Sequence, residues 1–143
     1  MRETILGIDL GTSFSLAAVY EQGAPRVLPD DHGRPLLPSV VRYPDAEDAT
    51  GGGPIVGWEA REHAVEFPRT TIASAKRLMG RSMRDVAGDL RSLSYEVVEG
   101  PQATARVRLP SGRIVSPQEV SAEILRALRA QAERRLGRAV SKA

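Results

Sequence analysis

Hydrophobic residues in the first half of the chain fall into short runs that glycine, proline and polar residues separate. The runs are rich in β-branched and aliphatic residues, which is typical of strands joined by turns. The pattern predicts strands at residues 4–8, 15–20, 25–29, 38–43, 55–57, 95–98, 105–109 and 114–115. Because short turns separate the first three, they are expected to form an antiparallel meander.

Helical spacing of apolar residues begins in the middle of the chain. Residues 58–66 are predicted as a helix that ends before Pro68, and Ala60, Ala64 and Val65 would form its apolar face. Residues 72–79 have the same spacing and would end at Gly80. Residues 83–93 form a weaker helical stretch.

A long helix is predicted from Ser116 to Gly137. Ser116, Pro117 and Glu119 supply an N-cap, a proline at the first helical position and the glutamate of a capping box. The apolar stripe of this helix comprises Val120, Ile124, Leu125, Leu128, Ala132 and Leu136. Such a stripe calls for a parallel strand after the helix. Residues 138–143 begin an extended segment and then end, so the chain is expected to be cut before that strand.

The most informative local pattern is the turn between the first two predicted strands. Gly11 lets the backbone approach an anion, and Thr12 and Ser13 add backbone N–H and hydroxyl donors. Asp9, at the end of the preceding strand, suits a hydrated magnesium ion. The alternative is a plain hairpin in which Gly11 serves the turn and Asp9 points into water. No helix follows the turn, so neither common glycine-rich nucleotide motif applies.

Composition narrows the possible classes of protein. The 143 residues are 41% hydrophobic but only 4% aromatic, so an aliphatic core is expected. A net charge of +2, from 20 basic and 18 acidic residues, gives no reason to expect a nucleic acid or a membrane as partner. The absence of cysteine excludes disulfides and thiolate chemistry. With no signal-peptide core and no long apolar run, the expected location is the cytoplasm.

Lysine is rare in this chain. Of the 20 basic residues, all are arginine except Lys76 and Lys142. A lysine in the middle of such a chain suggests a site that needs a compact ammonium, for example beside a phosphate, although chance substitution explains it equally simply. The cluster Asp30-Asp31-His32 is interpreted as a polar turn and not as a metal site.

Taken in order, four motifs resemble the N-terminal part of the ATPase domain of the seventy-kilodalton heat-shock chaperones, the DnaK-type family. The motifs are residues 7–13 (GIDLGTS), 38–41 (PSVV), 75–81 (AKRLMGR) and 116–125 (SPQEVSAEIL). The resemblance covers essentially the whole chain. The amino-acid sequences of residues 36–41 and 76–82 also resemble those of the branch specialised for iron-sulfur cluster assembly.

This resemblance implies a mixed α/β protein with the actin-like ATPase fold, which contains a ribonuclease H-like motif. The chain would hold the first lobe only, in truncated form. Its inner subdomain would comprise residues 1–38 and 116–143, and its outer subdomain residues 39–115. The second phosphate loop would follow residue 143, so the fragment itself is expected not to turn over ATP.

The resemblance also implies the roles of individual residues, with ATP and Mg²⁺ as cofactors. Asp9 corresponds to the carboxylate near the metal, Lys76 to the catalytic lysine, and Arg77 to a second residue of the cleft. The first phosphate loop corresponds to Gly11, Thr12, Ser13 and Phe14. Phe14 stands where the family usually has a polar residue or tyrosine, so a side-chain contact to phosphate is lost there.

The function implied is that of an N-terminal fragment of an ATP-dependent chaperone. The partners implied are ATP or ADP, unfolded client polypeptides bound by a further domain, a J-domain co-chaperone and a nucleotide exchange factor. The alternative is a fragment of a carbohydrate kinase of the same superfold, because those enzymes open with a similar strand-turn-strand signature. The AKRLMGR motif argues against that alternative.

Overall fold

The structure, a computed structural model, describes residues 4–45 and 52–143. The predictions for residues 1–3, where no signal-peptide core is expected, and for most of the loop at 45–54 therefore concern residues outside the described ones. In the described part the chain is mixed α and β, with three antiparallel sheets and one long helix. Within residues 4–45 and 52–143, no helix has the length and apolar character needed to cross a membrane.

The first sheet contains the predicted meander. Its strands are β1 (Gly7–Leu10), β2 (Phe14–Glu21), β3 (Ala24–Val27) and β4 (Leu37–Pro38). β2 lies in the centre, with β1 on one side and both β3 and β4 on the other. Alternate residues of β2 are buried, as expected for a strand with one face on the core. The β1–β2 turn is therefore held at one end of a paired, partly buried sheet.

Two further sheets lie between β4 and the long helix in the sequence. One is formed by β5 (Val40–Arg42), β6 (Ile55–Val56) and β7 (Thr71–Ala73), with β5 in the centre. The other is formed by β8 (Glu96–Glu99), β9 (Ala105–Arg108) and β10 (Ile114–Val115), with β9 in the centre. The α-helices in the part of the chain that the structure describes are α1 (Trp58–Glu62), α2 (Met83–Val86) and α3 (Pro117–Leu136).

α3 confirms the long helix that the sequence predicts. Ser116 Oγ accepts from the Glu119 N–H at 3.0 Å, and the Glu119 carboxylate accepts from the Ser116 N–H at 2.6 Å, which is a complete capping box. Gly137 closes the helix in the left-handed conformation. The buried residues of the stripe are Val120, Ile124, Leu128 and Ala132. The helix therefore packs one face on the sheets and exposes its arginines.

Replacing Ser116 by alanine should lower the free energy of unfolding by about 1 kcal/mol, because the Glu119 N–H in the first turn loses the Ser116 Oγ that accepts from it. Urea denaturation of the 143-residue chain measures this difference. Gln118→Ala is the matched control, since Gln118 is an exposed residue of the same helical turn. Equal effects of the two substitutions would contradict the role of the capping box.

The segment after Gly137 differs from the sequence prediction. Lys142 forms a parallel bridge with Ile5, and the Leu6 N–H donates to the Lys142 carbonyl at 3.0 Å. Val140 is buried against Leu6, and Leu28 belongs to the same cluster. As expected, no strand follows α3 in the described residues, but the sequence does not predict this single parallel bridge just before β1. The burial of Val140 in the cluster with Leu6 and Leu28 is the physical reason why this segment lies beside the first strand.

The helix predicted at residues 72–79 is wrong. Ile72 lies in β7, Ser74 has a positive φ of 56°, and only Ala75–Arg77 form a short 3-10 turn. Strand, left-handed residue and tight turn together still bury Ile72, Ala75 and Leu78. The apolar spacing therefore identifies the buried side chains correctly but assigns them to the wrong element.

The other two predicted middle helices are shorter than expected. α1 ends at Glu62, and Val65, which was predicted on its apolar face, is 94% exposed. The chain instead turns through residues 63–66 toward Pro68, which disfavours a helical residue before it. In the stretch 83–93, α2 covers four residues, and a 3-10 turn covers Leu90–Ser92.

The predicted polar turn at Asp30 is confirmed, and the Asp30 carboxylate stabilises it through hydrogen bonds. One Asp30 carboxylate oxygen accepts from the His32 and Arg34 N–H groups at 2.9 and 2.8 Å, and the other accepts from Arg34 Nε at 2.7 Å. Burial by itself would raise the pKa of the Asp30 carboxyl, but the hydrogen bonds from Arg34 and His32 outweigh it and lower that pKa below 3.8. No cluster of metal-ligating side chains is found among the described residues.

The lowered pKa of Asp30 predicts a pH dependence of stability. The unfolded chain takes up the proton first as the pH falls, so the stabilisation is complete above the ordinary pKa of 3.8 and is lost as the pH falls through the folded value. The difference in unfolding free energy between wild type and Asp30→Asn should therefore shrink on acidification from about pH 5 to about pH 3. A difference that stays constant over this interval would contradict the prediction.

Candidate phosphate-binding site

The turn between β1 and β2 has no room for a side chain at Gly11. A Cβ atom there would clash with the backbone carbonyl oxygen of Phe14, which cannot move without opening the turn. Among the described residues, the backbone N–H groups of Thr12 and Ser13 donate to no protein acceptor. Thr12 is half-buried and Ser13 is exposed. The turn thus offers two unused amides and two hydroxyls to an anion.

Lys76 is brought to this turn from 66 residues away. Its Nζ donates to the Leu10 carbonyl at 2.9 Å, immediately before Gly11. The 3-10 turn Ala75–Arg77 carries the lysine, and β7 leads into that turn. Leu10 occupies one N–H of the ammonium, so two remain for a ligand. The side chain that the sequence singles out by its rarity therefore lies beside the predicted cradle.

The backbone before Lys76 is fixed by a tyrosine that the sequence analysis did not single out. Tyr95 is buried and donates its hydroxyl to the Ala73 carbonyl at 2.8 Å, one residue before the left-handed Ser74. Burial raises the pKa of Tyr95 to about 12, so the phenol keeps the proton that it donates. This bond fixes the end of β7, which leads through Ser74 into the 3-10 turn that carries Lys76.

Asp9 lies close to the β1–β2 turn in the chain, whereas Arg77 makes no described contact with that turn. Asp9 lies on β1, two residues before Gly11, and its side chain is exposed. A hydrated Mg²⁺ takes few protein ligands and shares phosphate oxygens, so one exposed carboxylate beside a phosphate turn fits that ion. Arg77 is exposed next to Lys76, and its carbonyl accepts from Arg81. No contact in the described part of the chain links Arg77 to the turn.

The Phe14 side chain contacts an aromatic ring and lies near a guanidinium group. Its ring lies 6.2 Å from the Trp58 ring, tilted by 48°, and the Arg61 guanidinium lies 5.2 Å from the Phe14 centroid. Trp58 is itself anchored, because its indole N–H donates to the Leu36 carbonyl at 3.0 Å. The Phe14 ring therefore packs against α1. The Phe14 side chain supplies no hydrogen-bond donor to the turn.

The site has the chemistry of one wall of an anion-binding cleft. Free backbone amides and hydroxyls recognise phosphate oxygens, an ammonium adds positive charge, and a carboxylate nearby suits a divalent cation. These groups come from β1, the β1–β2 turn and the 3-10 turn after β7, and no single sequence motif contains them all.

Comparison with known proteins decides the family. The sequence model of the Hsp70 protein family matches residues 5–143. The chain belongs to the Hsp70 family. Chaperone protein HscA homologs from Cupriavidus metallidurans and Burkholderia ambifaria are each 48% identical over 136 residues, which is 95% of this chain. The homolog from Laribacter hongkongensis is 48% identical over 132 residues, which is 92% of the chain.

The chain spans about a fifth of the length of the curated relatives that it matches. Membership of the Hsp70 family implies the actin-like ATPase fold, and the described structure is mixed α and β as that fold requires. Proteins of the family in general bind ATP with Mg²⁺, client polypeptides and J-domain co-chaperones. The carbohydrate-kinase alternative is not favoured by these matches.

Proposed function

We propose that this chain supplies one wall of the ATP cleft of an Hsp70-type chaperone, and that hydrolysis in this cleft drives the binding and release of unfolded polypeptides. The observation that carries the proposal is the bond from Lys76 Nζ to the Leu10 carbonyl. It joins the candidate catalytic lysine to the residue directly before the candidate phosphate loop, although 66 residues separate the two bonded residues.

In this proposal the loop binds and orients the phosphates. The free N–H groups of Thr12 and Ser13 donate to phosphate oxygens, and Gly11 allows their close approach. The ammonium of Lys76 orients the attacking water and stabilises the charge that develops on the γ-phosphate. Asp9 would hold hydrated Mg²⁺, and that ion would supply positive charge to the phosphates. Arg77 lines the same cleft.

The chain is proposed to form the first lobe of the actin-like fold. Residues 1–38 and 116–143 would form the inner subdomain, and residues 39–115 the outer one. Two features support this division: β1 to β4 and α3 fall in the first set, and the other two sheets fall in the second. The phosphate loop would then belong to the inner subdomain and Lys76 to the outer one.

The remaining proposals concern the whole protein. The HscA names of the relatives support the iron-sulfur-assembly branch of the family. A J-domain co-chaperone and a nucleotide exchange factor are the proposed partners, and the cytoplasm is the proposed location. The second wall of the cleft and the peptide-binding domain are expected in a further part of the protein.

A chimera tests the proposal. Residues 5–143 of this chain would replace the matching segment of the Cupriavidus metallidurans relative, with the unsubstituted relative as reference. The chimera is expected to hydrolyse ATP, and an unfolded peptide is expected to raise the rate. If the chimera folds but neither binds ATP nor responds to peptide, the proposed function is wrong.

A further inference from the structure

Two buried serines close a ring of hydrogen bonds around Gly11. The Gly11 N–H donates to Ser15 Oγ at 3.2 Å, and Ser39 Oγ donates to the Gly11 carbonyl at 2.9 Å. The two hydroxyl oxygens lie 2.9 Å apart. Both serines are buried, with 1% and 3% of their surface exposed. Ser15 belongs to β2, whereas Ser39 joins β4 to β5.

The direction of every bond in this ring can be assigned. A hydroxyl has one proton, and Ser39 uses its proton on the Gly11 carbonyl. Ser15 must therefore donate to Ser39, and its own oxygen accepts from the Gly11 N–H. The ring satisfies each of its buried donors, so the Gly11 amide faces the protein interior and is not available to a phosphate.

The same ring determines where the next amide points. In a planar trans peptide the C=O and the following N–H point in opposite directions, and the described backbone contains no cis peptide bond. Because Ser39 holds the Gly11 carbonyl on the buried side, the Thr12 N–H is directed away from Ser39. The Ser39 N–H also donates to the Ser13 carbonyl at 2.9 Å, which holds a second loop carbonyl on the same side.

Ser39 also lies at the junction with the sheet that leads to Lys76. It precedes β5, and β5 pairs with β7, whose end leads to the turn that carries the lysine. Lys76 and Ser39 contact the adjacent carbonyls of Leu10 and Gly11. Ser39 therefore connects the β1–β2 turn to the sheet that leads to Lys76.

We propose that Ser39 is a positioning residue for phosphate binding: its hydroxyl holds the Gly11 carbonyl and thereby directs the Thr12 N–H toward the phosphate. This inference rests on the proposed function and names a residue that does not touch the ligand. Ser15 completes the ring but does not contact the Gly11 carbonyl. The two serines consequently differ in their effect on the loop, although both are buried and hydrogen-bonded.

The test compares Ser39→Ala with Ser15→Ala in the 143-residue chain. NMR spectra of the backbone amides are recorded without nucleotide and during a titration with Mg·ATP. Ser39→Ala frees the Gly11–Thr12 peptide plane, so the Thr12 amide resonance should shift and broaden before any nucleotide is added. The dissociation constant for Mg·ATP should rise about tenfold, as expected for the loss of one well-placed hydrogen bond.

Ser15→Ala should raise that constant by less than about twofold, because the Gly11 carbonyl keeps its donor. Ser121→Ala, a buried serine of α3, should leave both loop readouts unchanged. Equal effects of Ser39→Ala and Ser15→Ala, or an unmoved Thr12 amide in Ser39→Ala, would overturn the inference. If the wild-type chain shows no loop response to Mg·ATP, the proposed function fails instead, and the nucleotide-free spectra still decide the role of Ser39.

Discussion

Gly11→Ala is expected to lower the free energy of unfolding by about 2–3 kcal/mol and to remove Mg·ATP binding by the loop. The added Cβ would clash with the Phe14 carbonyl oxygen, which is backbone, so the turn must open to accommodate it. Opening the turn breaks the serine ring and displaces the Thr12 and Ser13 amides. Urea denaturation measures the loss of stability, and the NMR titration measures the loss of binding.

Gly7→Ala is the matched control for this substitution. Gly7 lies on β1, the strand that leads into the turn, and a Cβ there would meet the nearest atom, the Ala18 carbonyl oxygen, at an ordinary 3.8 Å. It should leave both the stability and Mg·ATP binding close to wild type. If Gly11→Ala behaves like Gly7→Ala in both measurements, the close approach at the turn has no functional importance.

Lys76→Ala is expected to reduce the rate of ATP hydrolysis in the chimera by a factor of about 10² to 10³, the typical cost of removing one preorganised charge-stabilising donor. ATP binding should remain mostly intact, because the loop amides and Asp9 are unchanged. Single-turnover kinetics separate the two effects, since they report the rate within the ATP-bound fraction. The loss of hydrolysis with retained binding identifies a group that acts on the transition state.

Two further variants sharpen this prediction. Lys76→Arg should not restore the rate, because a planar guanidinium does not replace a compact ammonium. Arg84→Ala, at an exposed residue of α2, removes a positive charge away from the site and should have little effect. Loss of ATP binding in Lys76→Ala with an unchanged single-turnover rate would contradict the role assigned to the lysine.

The strand-turn-strand pattern and the capping box could be predicted from sequence because both are local. β1, β2 and the intervening turn depend on the strand preference of residues close together, and Ser116 and Glu119 interact within one helical turn. In contrast, the element that contains Ile72 depends on the pairing of β7 with β5, in which Ile72 is paired with Val41. Apolar spacing alone could not distinguish a helix from a strand followed by a left-handed residue.

The site was predictable only in part, for the same reason. The rarity of lysine pointed to Lys76, but its bond to Leu10 depends on how two distant segments pack. Ser39 belongs to the PSVV motif, but the sequence indicated no role of its own for it, and Tyr95 carried no signal beyond that of an ordinary residue next to a strand. Their roles follow from burial and from the carbonyl that each contacts, and a single sequence shows neither.

The most direct test of the central claim is a titration of the 143-residue chain with Mg·ATP, followed through its backbone amides by NMR. The claim is that the β1–β2 turn and Lys76 together form one wall of a phosphate site. The largest chemical-shift changes should fall on Thr12, Ser13 and the residues around Lys76. Binding should be weak, because this chain supplies only one wall of the proposed cleft. Largest shifts elsewhere in the chain, or none at millimolar nucleotide, would contradict this account.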